Sequence, residues 1–396
     1  MKQIVFVIIV FFFLTSCINK NDKEKTQAEK QISFALESKP HSYYVEQSIL
    51  WWKEIERDST SEENWFNYYR ACRNAQGTAD WREDFVDESP YLRLGDTIVS
   101  LMQKSIPQSF TYNYVKGSTG AVDASYGAYL LKAYEMDPDF PGIQAAMVTY
   151  SVSTHNLELR KEVNKKWKRL NTMNPGLLQY SRNVLVSIEP NAILLTQHDN
   201  DSYPAWLLQD AYELKPDVLV LNIDFLLLES FRKNIFEKLG IPPFELKNVN
   251  VNEYRTNWKN VIQHFLGHYN NTRPLYIGLT VSPEWYEGFE GKLHLNGLTN
   301  KFTNEDYELT EINKTLFKEV WDLEDLNVNR EGYYSNKNVI EMNINYIRSL
   351  NEVHNYYMEI NESDNAEAVR QTALEIAYRT NNKKLIARID SVFKNR

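Results

Sequence analysis

The sequence predicts an α/β protein in which a small, mostly parallel sheet layer lies between two helical parts. Three observations predict it. Apolar and aromatic residues recur at three- and four-residue intervals between residues 42 and 188, the spacing of one helix face. Short apolar runs, "NAILLTQ", "PDVLVLNIDF" and "RPLYIGLTVS", then alternate with helical stretches across residues 189–302. From 303 to 396 the pattern is helical again. The chain has 396 residues, of which 43% are hydrophobic and 13% aromatic. That is enough to bury a large core and to build two or three domains.

The N-terminus reads as an export signal. Met1-Lys2 is a short positive region, and Ile4 to Leu14 is an unbroken apolar run of eleven residues. A membrane-spanning helix needs about 20 residues, so the run fits the apolar part of a signal peptide, residues 1–16. It ends in Leu14-Thr15-Ser16-Cys17, which resembles a bacterial lipobox. That resemblance implies cleavage before Cys17 and a lipid on its thiol, so that the mature chain is membrane-anchored. Ile18 follows where an aspartate would signal retention, which by the same resemblance directs the chain to the outer membrane, on either face. Residues 17–41, with "INKNDKEKTQAEKQ", are polar and charged and read as a flexible tether. Only two cysteines occur, Cys17 and Cys72. With Cys17 lipidated, Cys72 has no partner for a disulfide, and in its aromatic helical setting it reads as a small buried hydrophobe.

Within 42–188, Trp51, Trp52 and Ile55, then Trp65, Phe66, Tyr69 and Cys72, mark helical faces. "YGAYLLKAYEMDPDFP", residues 126–141, resembles the second helix of a tetratricopeptide repeat. It carries small residues, Ala128 and Ala133, for close helix approach and a terminating Asp137-Pro138. "KKWKRLNTMNPGLLQY" closes in the same manner with Asn174-Pro175. The two prolines are 37 residues apart, near the roughly 34-residue period of such repeats. "WWKEIERDSTSEENWFNYYRA" reads as a degenerate copy. Stacked helical pairs of this kind present a concave surface suited to a protein partner. Trp51, Trp52, Trp65 and Tyr68 are candidate contacts, although large aromatics usually lie in the core.

In the middle, "NAILLTQ" is a buried strand, "PAWLLQDAYEL" a helix with Pro204 near its first turn, and "PDVLVLNIDF" a second strand. Together they form a βαβ unit whose strands pair in parallel. "LLLESFRKNIFEKLG" is a helix stopped by Gly240, residues 251–270 form another, and "RPLYIGLTVS" is a third strand. In the tail, "AVRQTALEIAYRTNNKKLIARIDSVF" reads as a helix pair.

Ligands bind open parallel sheets at the C-terminal strand edge. Gln197, His198, Asp199, Asn200 and Asp201 leave the first strand there. Asn222 and Asp224 leave the second, and Ser282 and Glu284 the third. His198, Asp199, Asp201, Asp224 and Glu284 are therefore placed to converge, and carboxylates with imidazole suit a divalent metal. Asp199-Asn200-Asp201 also matches the D-x-D by which some glycosyltransferases hold a metal and a nucleotide sugar, a substrate not expected outside the cytoplasm. A structural role accounts for the same residues. Asp201 or Ser202 can cap the following helix for about 1 kcal/mol, Asp199 can sit at its positive end, and Asn200 can take a left-handed turn.

Other chemistry finds less support. The net charge is −9, against a nucleic-acid partner, which calls for a basic surface. With 14 glycines there is no GxGxxG and no GxxxxGK[ST] phosphate loop. His264 and His268 share a helix face but lack the glutamate of HExxH, and no Ser-His-Asp, Cys-His or G-x-S-x-G arrangement can be drawn.

The block "NAILLTQHDNDSYPAWLLQDAYELKPDVLVLNIDFL" resembles the soluble C-terminal region of bacterial protein O-mannosyltransferase-like membrane proteins. The shared features are Asp199-Asn200-Asp201, Pro204, Trp206 and Pro216-Asp217-Val218. "RPLYIGLTVSPE" and "GKLHLNGLTNKF" extend the likeness over residues 183–303. Gln197-His198 departs from the Asn-Gly usual in that group, and the multi-spanning half that carries the transferase chemistry has no counterpart. The resemblance thus implies a soluble periplasmic-type domain beside helical repeats, without the transferase activity.

The expectation is a lipid-anchored cell-envelope binding or scaffold protein, an accessory subunit of an outer-membrane complex. It would hold the membrane through Cys17 and dock a protein at its helical repeats, with neither nucleic acid nor cofactor. The alternative is a glycan-binding protein or a metal-dependent glycan-acting enzyme. There Asp199, Asp201 and Asp224 hold a metal or a hydroxyl, His198 serves as acid or base, Tyr203 and Trp206 stack on a sugar, and Asn200 completes the loop.

Overall fold

Paired aromatic helices begin the described part of the chain. The computed structural model describes residues 27–34, 36–79, 95–119, 124–246, 254–270, 272–324, 326 and 336–394. The expected signal peptide 1–16, the lipidation site Cys17 and residues 18–26 of the expected tether lie outside them. Among the described residues no helix is long and apolar enough to cross a membrane.

Helix α1 (His41–Arg57) pairs with α2 (Glu62–Thr78). Ser61 caps α2 by accepting the Asn64 N–H at 3.3 Å, and Glu62 and Glu63 face its positive end. Trp51, Trp65, Tyr68 and Cys72 are buried between the helices, so three of the four proposed contact aromatics are core. Trp52 is half-buried, its ring edge-on to Trp65. Residues 27–34, counted with the tether in the sequence reading, dock on this pair. The Gln31 N–H donates to Asn67 Oδ1 at 2.7 Å, the Phe34 N–H to Asn74 Oδ1 at 3.0 Å, and the Trp51 indole to the Glu29 carbonyl at 2.8 Å. Their backbone polarity is met by buried amides, which a composition-based reading of a polar stretch does not register.

Five further helices follow: α3 (Gly95–Ser105), α4 (Phe110–Thr119), α5 (Gly127–Met136), α6 (Ile143–Ser153) and α7 (Leu157–Leu170). Successive members pack together. Ala133 is fully buried, whereas Ala128 is exposed. α4 approaches α5 closely at Gly117, where a Cβ would come within 2.6 Å of the Leu130 backbone nitrogen. Asn174-Pro175 does not close a helix. α7 ends at Asn171, a left-handed cap with φ 52°, and Asn174 caps α8 (Pro175–Val186), with Pro175 in its first turn. Pro138 follows a helix end and Pro175 opens a helix, so their 37-residue spacing does not relate equivalent positions.

The sheet comes next. β1 (Ile193–Thr196) is parallel to β2 (Leu219–Asn222) on one side and to β3 (Leu275–Gly278) on the other. A hairpin of β4 (Leu293–Asn296) and β5 (Thr299–Phe302) adds antiparallel to β3, giving the order β2-β1-β3-β5-β4. The parallel trio matches the three apolar runs, and the hairpin makes the sheet mixed. Arg273 ties the N-terminal strand ends together, donating to the carbonyls of Asn191, Ala192 and Asp217 at 2.6, 3.0 and 2.9 Å. Between the strands lie α9 (Asp199–Tyr212), α10 (Glu229–Leu239), closed by Gly240 at φ 66°, and α11 (Tyr254–His268). Helix α9 starts at Asp199, so Pro204 stands inside it.

The C-terminal part comprises α12 (Leu309–Thr315), α13 (Asn336–Asn343), α14 (Tyr346–Glu359), α15 (Ser363–Arg379) and α16 (Lys383–Lys394). The last two are the helix pair expected from the sequence. This part joins the rest through buried polar bonds: Asn183 to the Tyr346 hydroxyl and the Asp322 carbonyl, both at 2.8 Å, and the Trp321 indole to Ser187 Oγ at 2.8 Å. The architecture is an α/β layer with helical N- and C-terminal parts.

Candidate ligand site at the sheet edge

β1 has β2 on one side and β3 on the other, so the chain leaving β1 and β3 diverges at their C-terminal ends. That is the switch point where open α/β sheets hold ligands, and the candidate residues gather there.

Gln197 and His198 are the whole connection from β1 to α9. Gln197 is buried, and its Oε1 accepts the Ser282 N–H and the Trp285 indole N–H, each at 3.1 Å. It thereby locks the segment after β3 to the end of β1. His198 turns the corner with φ 63° and ψ −179°, a conformation nearly confined to glycine. Its N–H and its Nδ1 both lie 3.0 Å from Asp224 Oδ2. Asn222 supports the arrangement, its Oδ1 accepting the Asp224 N–H at 2.7 Å and its Nδ2 facing the His198 carbonyl at 3.4 Å. The His198 side chain is 66% exposed. The Asp224 hydrogen bond raises the imidazole pKa above its ordinary value, against an opposing effect of burial.

The acids of the Asp-Asn-Asp triplet have separate fates. Asp201 is 5% exposed and turns inward. Its Oδ2 accepts the Gln197 N–H at 2.9 Å and the Thr280 hydroxyl at 2.5 Å. Burial pushes its carboxyl up to about 6, only partly offset by those two donors. Beneath it, Thr196 and Ser202 share a buried hydroxyl hydrogen bond of 2.7 Å. Asp199 is exposed. It is nonetheless hemmed in by enough protein for lost hydration to raise its carboxyl, while the Tyr203 hydroxyl lowers it. Asn200 is half-buried in the first turn of α9.

The aromatics of α9 do not form a ligand platform. Trp206 is 1% exposed, and its indole donates to the Val220 carbonyl at 3.2 Å. Neither ring face is open to a sugar, which corrects its place among the ligand residues. Tyr203 is half-buried and points at the helical part, its hydroxyl 2.6 Å from Thr149 Oγ1. Glu284 does not join the cluster and stands 3.9 Å from Arg255. The aromatic at this edge is Trp258 on α11, half-buried, with its ring 6.1 Å from that of His198 and 5.6 Å from that of Trp285. Sequence reasoning missed it. Its one signal is a tryptophan amid polar neighbours in "RTNWKN".

Among the described residues no three His, Cys, Asp or Glu side chains form a metal-holding group. The His264 and His268 rings lie 4.2 Å apart, tilted by 35°, with His264 Nε2 on the Pro242 carbonyl at 2.9 Å. What the edge offers is an oriented imidazole, carboxylate acceptors and an indole ring.

Residues 178–240 match the family model of TMEM260-associated domain 2. The matched span runs from within α8 through β1, α9 and β2 to the end of α10, and so contains His198, Asp201, Trp206 and Asp224 but not Thr280, Trp258 or Trp285. No curated protein matches the chain.

Proposed function

We propose that the protein is a lipid-anchored cell-envelope binding protein, an accessory subunit of an outer-membrane complex. In this reading Cys17 carries the anchor, the helical N-terminal part docks a protein partner, and the α/β layer supports it and keeps a ligand crevice at its edge. The observation that carries binding over catalysis is the use made of the acids. Asp201 is spent on the Gln197 N–H and the Thr280 hydroxyl, and Asp210 on a guanidinium. Neither of these two carboxylates is left free to act on a reacting bond.

The test is a pull-down of the full chain from detergent-solubilised envelope, compared with Cys17→Ser. The expected result is a stoichiometric protein partner with the wild type and loss of the variant from the membrane fraction. Recovery of no partner, or a Cys17→Ser chain that stays membrane-bound, counts against it.

A second reading is a glycan-binding or glycan-acting role at the same edge. Exposed His198 and Asp199 favour it, as does the match of residues 178–240 to a domain associated with TMEM260, itself related to protein O-mannosyltransferases. The double variant Asp199→Ala/Asp201→Ala separates the two readings. Unchanged glycan and metal binding with lowered thermal stability assigns these acids to structure.

A further inference from the structure

His198 occupies a backbone conformation that glycine adopts without strain and an L side chain does not. The bonds that hold the corner do not require an imidazole. The His198 N–H to Asp224 and the His198 carbonyl to Asn222 are main-chain contacts that glycine would make equally. The ring nevertheless stands there, two-thirds exposed, and is oriented. Asp224 Oδ2 sits 3.0 Å from Nδ1, which sets Nδ1 as the protonated nitrogen of the neutral ring and leaves Nε2 as an acceptor. Among the described residues Nε2 has no hydrogen-bond partner. The strain is tolerated with a ring whose Nε2 is left without a partner among the described residues.

The surroundings define what it would meet. Asp199, exposed beside it, offers carboxylate acceptors, and Nε2 offers a lone pair, so a ligand must bring donors. Asp199 and Asp224 repel an anion. Trp258, edge-on to His198 and tilted on Trp285, offers a half-buried apolar ring surface next to those acceptors. Donors around a ring, with C–H groups for an indole face, describe a neutral polyhydroxylated ring.

We propose that His198, oriented by Asp224, is the ligand-contacting residue of a site at the β1/β3 edge for a neutral polyhydroxylated ring compound, which lies against Trp258 and donates a hydroxyl to His198 Nε2. The proposal deepens the reading of this edge as a ligand crevice and rests on it.

The test uses the detergent-solubilised full chain. Wild type, His198→Gly and Trp258→Ala are titrated with a panel of methyl hexosides and myo-inositol, with glucose 6-phosphate and glucosamine as charged counterparts. Binding is read by histidine NMR shifts and, where Trp258 is present, by indole fluorescence. The expected result is that at least one neutral probe binds the wild type. His198→Gly should weaken it about tenfold or more while melting at or above the wild-type temperature, because glycine relieves the strain. Trp258→Ala should weaken the same probe with His198 intact. Melting of His198→Gly well below the wild type would make the imidazole a structural element and overturn the proposal. So would unchanged affinity in either variant, binding of the charged probes in preference, or no neutral probe bound at all. In that last case a protein partner recovered from the envelope leaves the binding-protein reading standing. A bound hexoside without any partner does the reverse.

Discussion

The Arg160 guanidinium lies bidentate on the Asp210 carboxylate, Nε to Oδ2 at 2.8 Å and Nη2 to Oδ1 at 3.0 Å, and so joins α7 to α9. Asn164 adds a third bond to Oδ2 at 2.7 Å, and the guanidinium lies 5.6 Å from the Trp206 ring centre. The two side chains are 14% and 9% exposed. This is the one place where a buried charge pair links the helical part to the α/β layer among the described residues. Removing one partner leaves the other charge buried and alone, at a cost of about 3 kcal/mol or more. Asp210→Ala should therefore lose that much stability in chemical denaturation. A loss under about 1 kcal/mol would mean that apolar packing alone joins the two parts.

Gly297 makes a second joint, between the β4–β5 hairpin and the C-terminal helices. Its φ is +61°, and a Cβ there would meet Trp321 Cζ2 at 2.7 Å and Leu316 Cδ1 at 2.9 Å. Its N–H donates to Asn313 Oδ1 at 2.8 Å, and its carbonyl accepts the Ser349 hydroxyl at 2.6 Å. Gly297→Ala adds left-handed strain to overpacking and should cost about 2 kcal/mol or more. Thermal melts measure this, and an alanine variant as stable as the wild type would show that the hairpin can move away from Trp321.

What the sequence disclosed and withheld follows from how each element is buried. β1 and β3 are buried along their whole length and β2 nearly so, so they read as unbroken apolar runs. β4 and β5, "LHLN" and "TNKF", carry no such run. Asn296, Thr299 and Asn300 are buried polar residues instead, and the Asn296 amide donates to the Ser187 carbonyl at 2.9 Å while the Thr299 hydroxyl donates to the Asn296 carbonyl at 2.8 Å. The pairing of His198 with Asp224 was foreseeable, since both leave adjacent parallel strands at one edge. Trp206 does not show as a core residue in the sequence, yet α9 is covered by α7 and α8 on one side and by β2 on the other, so that its stretch from Pro204 to Asp210 is buried throughout. Trp258 was invisible because α11 reaches the edge only through the tertiary fold.

The His198–Asp224 contact predicts a titration. The Asp224 hydrogen bond is the largest effect on His198 and raises its pKa, with Asp199 and Asp201 adding to it through their charge. A group whose folded pKa is raised stabilises the fold below its ordinary value, near 6.5, and that contribution is lost as pH rises through the folded value. Asp224→Asn removes the main cause, so the His198 midpoint followed by histidine NMR should fall. A midpoint unmoved by the substitution would show that the contact does not persist in solution.

Asp201 predicts the opposite use of charge. Its carboxyl is buried and raised from 3.8 to about 6, first by desolvation. Raised in the folded state, it favours the fold most when protonated. Its contribution is full below about 4 and is lost as pH rises through about 6. Above that, the buried carboxylate carries a penalty of a little over two pKa units, on the order of 3 kcal/mol. Asp201→Asn keeps an oxygen where Oδ2 accepts the Gln197 N–H and the Thr280 hydroxyl, and it cannot ionise. The variant should match the wild type at pH 4 and exceed it at pH 7.5 in paired melts. If it is the less stable of the two at pH 7.5, the charge itself is needed at the corner, and Asp201 belongs with His198 and Asp224 in the ligand site.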